Sequence, residues 1–297
     1  MTKKTRNWFI VLFILALPFV VFLGCLIFMT AAPLPPLPPL PNPNGYDELV
    51  KAGQMIADNS TDYSEMDPQQ LEGFVATNAA ALQVGRAGLS NSCRVPLEFS
   101  ETYMSSHLNQ LAAIKRLALG LAAEGRLAEM AGHPNDAAKS YLDAMRLGNE
   151  AARGGVMIDQ LVGTASEAIG SAGLQHLAGQ LDASTCRQTA AALENLDSHR
   201  QSWSEVMQQE NDWSHRTFPG LRNELVRLMS RKMLIPAEQR AGTKFENRVL
   251  KERQLTVDLA ARAYQLEKGK PPAGAADLVP DYLKAVPLDP VSGKNLD

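Results

Sequence analysis

The length and charge of the chain limit its class before any motif is considered. Its 297 residues suffice for a terminal anchor followed by one large domain or two small ones. Three of the 29 Lys and Arg lie before residue 7, so the remainder sets 26 basic residues against 32 Asp and Glu, a formal charge of −6. This acidic balance argues against nucleic acid or an anionic bilayer surface as a partner of the main domain.

The first predicted element is a single membrane-spanning helix. The run from Trp8 to Met29 is uncharged, and its 22 residues at about 1.5 Å each match the roughly 30 Å core of a bilayer. Three basic residues precede it, so the positive-inside rule predicts a cytoplasmic tail at 1–7 and places the bulk of the chain outside the cytoplasmic (inner) membrane, extracytoplasmic or periplasmic. A cleaved signal peptide and a lipoprotein box at Leu23-Gly24-Cys25 are the alternatives; the apolar run is longer than either requires.

Residues 30–44 form a predicted Pro-rich linker. The 11 residues from Pro33 to Pro43 contain seven prolines, which lack the backbone N–H and restrict their neighbours, so we expect a polyproline II spacer. At about 3.1 Å per residue, it would hold the next domain roughly 34 Å from the membrane. A Pro-x-x-Pro ligand for a cytosolic recognition domain is the alternative, but the predicted topology places the segment on the other side of the membrane.

The sequence predicts an all-α extracytoplasmic domain of antiparallel helix pairs over residues 45–270, followed by a Pro-rich docking segment at 271–297. Strand patterns are nearly absent, whereas apolar residues recur at helical spacing. The predicted helices lie near residues 46–58, 67–87, 102–131, 134–153, 155–181, 184–213, 219–234 and 244–267. The helix near 155–181 is rich in Gly and Ala, which lets neighbouring helices approach closely but requires tertiary contacts for stability.

The segment Leu108–Leu147 predicts a helical hairpin around which the rest of the domain packs. Its apolar arc begins at Leu108, and Gly132 and Pro134 suit the end of one helix and the start of the next. The small residues are Gly125, Ala128, Gly132, Ala137 and Ala144, with one ring at Tyr141. This spacing resembles one tetratricopeptide hairpin, although Leu121 stands where that repeat usually has a large aromatic. No second copy is found, so the resemblance implies a helix pair and not a stacked peptide-binding groove.

No residue is predicted to be catalytic, cofactor-binding or metal-ligating. The histidines are His107, His133, His176, His199 and His215, and none has a partner at metal-binding spacing, so we expect them on solvated helix faces. A basic cluster comprises Arg222, Arg227, Arg231 and Lys232. Two interpretations stay open for this cluster: cations that favour the end of a helix dipole, or a patch that binds phosphate or an acidic partner.

Cys93 and Cys186 are the two cysteines of the predicted extracytoplasmic part, since Cys25 falls inside the predicted span. Disulfides persist outside the cytoplasm, so a bridge between them is one interpretation. Two cysteines 93 residues apart carry no framework pattern, and a domain of this size does not need a covalent staple. We therefore expect two separate buried thiols.

The C-terminal segment carries prolines among apolar residues and is predicted to pack back on the helices. Its apolar residues, taken with the end of the last helix, are Tyr264, Leu278, Tyr282, Leu283 and Val286. The order of Gly, Pro, Asp and Tyr here resembles the segment after the long helix of type II secretion pseudopilins. The leader and early glutamate of those proteins are absent, so we interpret the segment as a shared docking module.

A broader resemblance covers most of the predicted extracytoplasmic chain. The stretch Cys93-Arg94-Val95-Pro96-Leu97, then Leu161-Val162-Gly163-x-Ala165, and then the C-terminal segment is similar to a group of uncharacterised bacterial cell-envelope proteins with an N-terminal anchor and a helical hairpin. The resemblance implies an all-helical extracytoplasmic fold and no particular activity. With the anchor and spacer, it favours a membrane-anchored interaction or assembly scaffold with an envelope protein partner, which grooves between helices would contact. An envelope hydrolase and a secretion-system accessory protein are the alternatives.

Overall fold

The computed structural model describes residues 36–57 and 63–296, with short pieces at 16–18, 20–22, 24 and 34. From residue 45 onward these ranges hold eight α-helices, one 3-10 turn and no strand, which confirms the all-α class. The helices are α1 (Gly45–Met55), α2 (Pro68–Leu89), α3 (Tyr103–Met130), α4 (Pro134–Ala152), α5 (Met157–Leu177), α6 (Ala183–Ser198), α7 (Trp203–Thr217) and α8 (Leu221–Lys268), and the 3-10 turn is Ala275–Leu278.

Among the residues that the structure describes, no helix is both long and apolar enough to cross a membrane. The predicted span Trp8–Met29 lies mostly outside the described residues, as does the predicted tail at 1–7. Residues 36–44 of the predicted linker contain neither helix nor strand.

The predicted hairpin is the pair α3 and α4. Gly132 adopts φ +77° just after α3, and Pro134 is the first residue of α4. A Cβ at Gly125 would lie 2.9 Å from Cε1 of Tyr141, so the missing side chain is what admits the ring between the helices. The predicted apolar arc was wrong at one residue. Leu108 is 49% exposed, because this end of α3 directs His107 and Leu111 toward the core instead.

The Gly- and Ala-rich helix α5 lies against α4, its most extensive neighbour. At their crossing, a Cβ added to Gly163 would lie 2.5 Å from the carbonyl oxygen of Gly148, so a methyl group there would force the two backbones apart. The predicted close approach of this helix is thereby confirmed. Its low intrinsic stability is offset by packing against α3, α4 and α8.

The core contains two large apolar clusters and a smaller one around Tyr103, Val156 and Trp213. The first large cluster contains residues of α1, α2, α3 and α4. The second contains residues of α4, α5, α6, α8 and the C-terminal segment. Leu278, Tyr282 and Leu283 are buried in the second cluster, with Tyr264 and Val286 packed against it. The Tyr282 hydroxyl donates to Glu267 Oε2 at 2.8 Å. The predicted packing of the C-terminal segment on the helices is therefore confirmed.

Two predicted boundaries were wrong. The helix predicted at 184–213 is interrupted, because Ser202 and Glu205 form a capping box that starts α7: Ser202 N–H donates to Glu205 Oε2 at 2.7 Å. The helices predicted at 219–234 and 244–267 are one 48-residue helix, α8, which runs through Pro236. Pro236 removes one intrahelical hydrogen bond and its ring crowds the preceding turn, but the helix-favouring residues on both sides of it continue the helix.

Candidate interaction surface

One histidine is buried, against the expectation of solvated faces. His107 on α3 directs its two ring nitrogens at acceptors, Asp159 Oδ1 at 2.7 Å and Gln110 Oε1 at 3.0 Å. Burial lowers the pKa of His107, but the hydrogen bond to Asp159, the negative charge of Asp159 and the hydrogen bond to Gln110 together outweigh burial, and the net pKa is raised. A protonated ring satisfies both acceptors at once. The sequence signal for the burial of His107 was its position four residues from both Tyr103 and Leu111, which face the core.

The His107–Asp159 pair fastens α3 to the start of α5. Asp159 Oδ2 also accepts the backbone N–H of Val156 at 2.8 Å, and the ring of Tyr103 stacks on His107 with centroids 4.7 Å apart. Both side chains of the pair are completely buried. A histidine–carboxylate pair is a component of general-base sites, yet these two groups have every polar atom committed inside the fold. In this arrangement the pair acts as a brace.

The remaining histidines lie closer to solvent. His133, His176 and His199 are exposed, and His215 is partly buried against Glu224, with Nδ1 2.8 Å from Oε1. Within the described residues, no three His, Cys, Asp or Glu side chains are grouped to hold a metal ion.

A second buried polar cluster joins α5, the α6–α7 loop and α8. Arg200 donates to Glu167 Oε1 at 2.7 Å and to Glu252 Oε2 at 2.8 Å, and Arg248 donates to Ser171 Oγ at 2.6 Å. Burial raises the pKa of Glu252, against the lowering effect of Arg200. We call Glu167, Arg200, Arg248 and Glu252 the charge brace. Its opposed charges, buried in pairs, fix α8 against α5.

A polar cleft of about 300 Å³ opens between the ends of α2, α4 and α6. It is lined in part by Cys93, Glu150, Arg153 and His199, and Arg153 already donates to Glu150 Oε1 at 2.6 Å. Burial raises the pKa of the Cys93 thiol to about 12, so the thiolate that a nucleophile requires is not formed at neutral pH. Cys186 is likewise buried and free, which confirms two unpaired thiols.

The basic cluster does not lie at a helix C-terminus. Arg222, Arg227, Arg231 and Lys232 fall in the first turns of α8, which continues to Lys268. Cations are disfavoured at that end of a helix dipole, so the dipole interpretation was wrong. We call residues 221–240 of α8 the arm.

At the start of the arm, the side that faces the protein is polar. Glu224 is buried beside His215 and pairs with Arg227, and Arg227 Nη1 donates to the Ser214 carbonyl at 2.9 Å. These contacts hold the start of the arm to the end of α7. Farther along, every residue from 231 to 237 is exposed, and burial resumes at Ala241.

The side of the arm that faces solvent is apolar. Four side chains on it are between 40% and 80% exposed, and we call them the apolar stripe: Leu225, Val226, Met229 and Met233. A surface helix normally turns its apolar side to the core and its charges to water. At the start of the arm the arrangement is reversed, so the stripe is a candidate interaction surface. The exposed Leu234 and Ile235 lie off the stripe, on the side of Arg227 and Glu224. It lies on a helix face and not in the groove that the sequence led us to expect.

Comparison with known proteins adds no relative. No protein-family model matches the chain, and neither a curated protein nor a solved structure matches it. The resemblances to tetratricopeptide hairpins, pseudopilins and bacterial envelope proteins therefore stay predictions from sequence.

Proposed function

We propose that this protein is a membrane-anchored extracytoplasmic scaffold of the bacterial cell envelope, which docks a partner protein through the apolar stripe of its arm. The observation that carries the proposal is the reversed arm: Glu224 and Arg227 face the protein while Met229 and Met233 face solvent. Full burial of a Val, Leu or Met side chain is favourable by about 1.5–3 kcal/mol. Four such side chains on one face leave several kcal/mol available to a partner that covers them.

The body supports this function by holding the arm in a fixed direction. The charge brace joins α8 to α5 and to the α6–α7 loop, and Phe245 packs its ring against Trp203 with centroids 5.7 Å apart. A Cβ at Gly242 would lie 2.8 Å from Nε1 of Trp203, so the contact at the base of the arm is close. A rigid base reduces the entropy lost when a partner binds.

The predicted anchor gives such a scaffold an advantage. A protein confined to the membrane layer by a span at Trp8–Met29 meets other envelope proteins at a raised effective concentration, without any additional contact. An enzyme with a diffusible substrate gains little from the same tether. The hydrolase alternative would need accessible groups, whereas the His107–Asp159 pair is completely buried.

The test is photocrosslinking in native membranes. A photoreactive amino acid is placed in the full-length chain at Met229, and a matched chain carries it at Met130, which is 45% exposed at the end of α3. We expect a discrete crosslinked partner from position 229 and none from position 130. Equal crosslinking at both positions, or no adduct at 229 while the purified protein turns over a substrate, would contradict the proposal.

A further inference from the structure

We infer that the partner which covers the apolar stripe presents an amphipathic helix bordered by acidic side chains. This inference rests on the proposed function and names the chemistry of its partner. Three features of the arm support it: its charge, the spacing of its apolar residues and the positions of its free cations.

The arm differs in charge from the rest of the molecule. Residues 221–240 hold five Lys or Arg against two Glu, a formal charge of +3, whereas the whole chain carries −3, so the other residues together carry −6. One of the two glutamates, Glu224, is buried and paired with Arg227 and His215. Glu224 and Arg227 balance each other on the protein side, so the net charge of +3 remains on the rest of the arm and favours an acidic partner.

The spacing of the stripe fits a helix. Val226, Met229 and Met233 stand at i, i+3 and i+7, the pattern by which one helix presents a seam to another. Leu225 widens the seam on one side. Methionine side chains are flexible and adapt to an apolar surface, which suits a docking seam.

One free cation flanks this seam and another lies at its end. At 100° per residue, Lys232 lies beside Leu225, and Arg240 continues the line of Met233 two turns farther on. Both residues are exposed. An acidic residue that flanks the apolar stripe of a partner helix would meet Lys232, as charges beside a coiled-coil seam do, and an acidic residue at the end of that stripe would meet Arg240.

Two other occupants fit less well. A second copy would bring one arm of charge +3 against another, which disfavours symmetric pairing of arms. A bilayer surface would accept the cations and the leucines, but helices that lie in the membrane interface characteristically also carry Trp or Phe, and residues 221–240 contain no aromatic side chain. A protein helix satisfies both the charge and the spacing.

The test uses the full-length protein in phosphatidylcholine nanodiscs and two labelled synthetic peptides. Both peptides are three-heptad helices with Leu at a and d; one carries Glu and the other Lys at e and g. Fluorescence anisotropy should show the Glu peptide binding about tenfold more tightly than the Lys peptide. Met229→Gln with Met233→Gln should weaken the Glu peptide about tenfold, while Met130→Gln should leave it unchanged.

A charge-reversed arm provides the decisive control. Lys232→Glu with Arg240→Glu changes only exposed residues, and the order of the two peptides should then invert. Equal affinity for the two peptides, or no inversion in this variant, would overturn the inference.

Limited trypsin digestion distinguishes the candidate occupants of the stripe, because trypsin cuts after the exposed Arg231 and Lys232 and a bound occupant would protect these sites. Protection by the Glu peptide supports the inference. Protection by phosphatidylglycerol nanodiscs alone would assign the stripe to a bilayer, and protection by a raised protein concentration alone would assign it to a second copy; either result overturns it. If position 229 crosslinks a partner in cells but the Glu peptide does not bind, the proposed scaffold function stands and the inference of an acidic partner helix is wrong.

Discussion

The two halves of α8 use the same helix for opposite purposes. Beyond residue 240, apolar residues such as Phe245, Val249 and Leu259 are buried, and the charged residues that face inward, Arg248 and Glu252, have partners of opposite charge. In the arm, Met229 and Met233 face solvent. A continuous helix therefore does not imply one environment, and the point where burial changes separates the part that folds the protein from the part that it displays.

The largest expected effect comes from removing the cation that pairs with the buried half of α8. Arg200→Met leaves Glu167 and Glu252 buried without their closest cation, which should lower the free energy of unfolding by about 3–5 kcal/mol. Urea unfolding followed by circular dichroism measures the change. The matched variant is Arg240→Met in the exposed arm, where we expect a change within about 0.5 kcal/mol. Similar losses in both variants would show that the charge brace is not special.

A second contrast compares two residues of the C-terminal segment. Tyr282 is buried against α8 and donates to Glu267, so Tyr282→Ala should destabilise the protein by about 2–4 kcal/mol. Val291→Ala, in the exposed end of the same segment, should change stability by less than about 0.5 kcal/mol. Thermal unfolding distinguishes them. An unchanged melting temperature for Tyr282→Ala would mean that the segment does not support the buried half of α8.

A third prediction concerns pH. The pKa of His107 is raised in the fold, above its ordinary value of 6.5, so its protonated form stabilises the fold. That contribution is complete below pH 6.5 and is lost as pH rises through the raised pKa. His107→Gln should therefore cost about 1.5–3 kcal/mol at low pH and less as the pH rises. His176→Gln, on an exposed side chain, provides the control. A cost that grows with pH would contradict the assignment.

Much of this fold follows from apolar spacing. The helices of the hairpin were predicted to within about two residues, because Gly132 and Pro134 mark their ends and their apolar faces are strongly periodic. The sequence also contains the signal for the break before α7, the capping pair Ser202 and Glu205. This pair lies within a longer helical pattern, and for that reason one continuous helix was predicted.

The buried polar clusters could not be predicted in the same way. Arg200 meets Glu167 and Glu252 only when the chain has folded, since their separations in sequence are 33 and 52 residues. The residues of the stripe recur at helical spacing in the sequence, but periodicity identifies an apolar face without telling whether that face turns to the core or to solvent. For the arm, the answer came from Glu224 and Arg227, which occupy the inward side.

The smallest expected effect isolates the arm itself. Met233→Ala removes an apolar side chain that contacts mainly solvent, so the free energy of unfolding should change by less than about 0.5 kcal/mol, although the same class of change in a core costs about 2–5 kcal/mol. Phe245→Ala, on the buried half of the same helix, should reach the core range. If the arm is a display element, Met233→Ala should instead reduce photocrosslinking from position 229. A loss of several kcal/mol from Met233→Ala would mean that the arm is packed in solution, and the distinction between the halves of α8 would then fail.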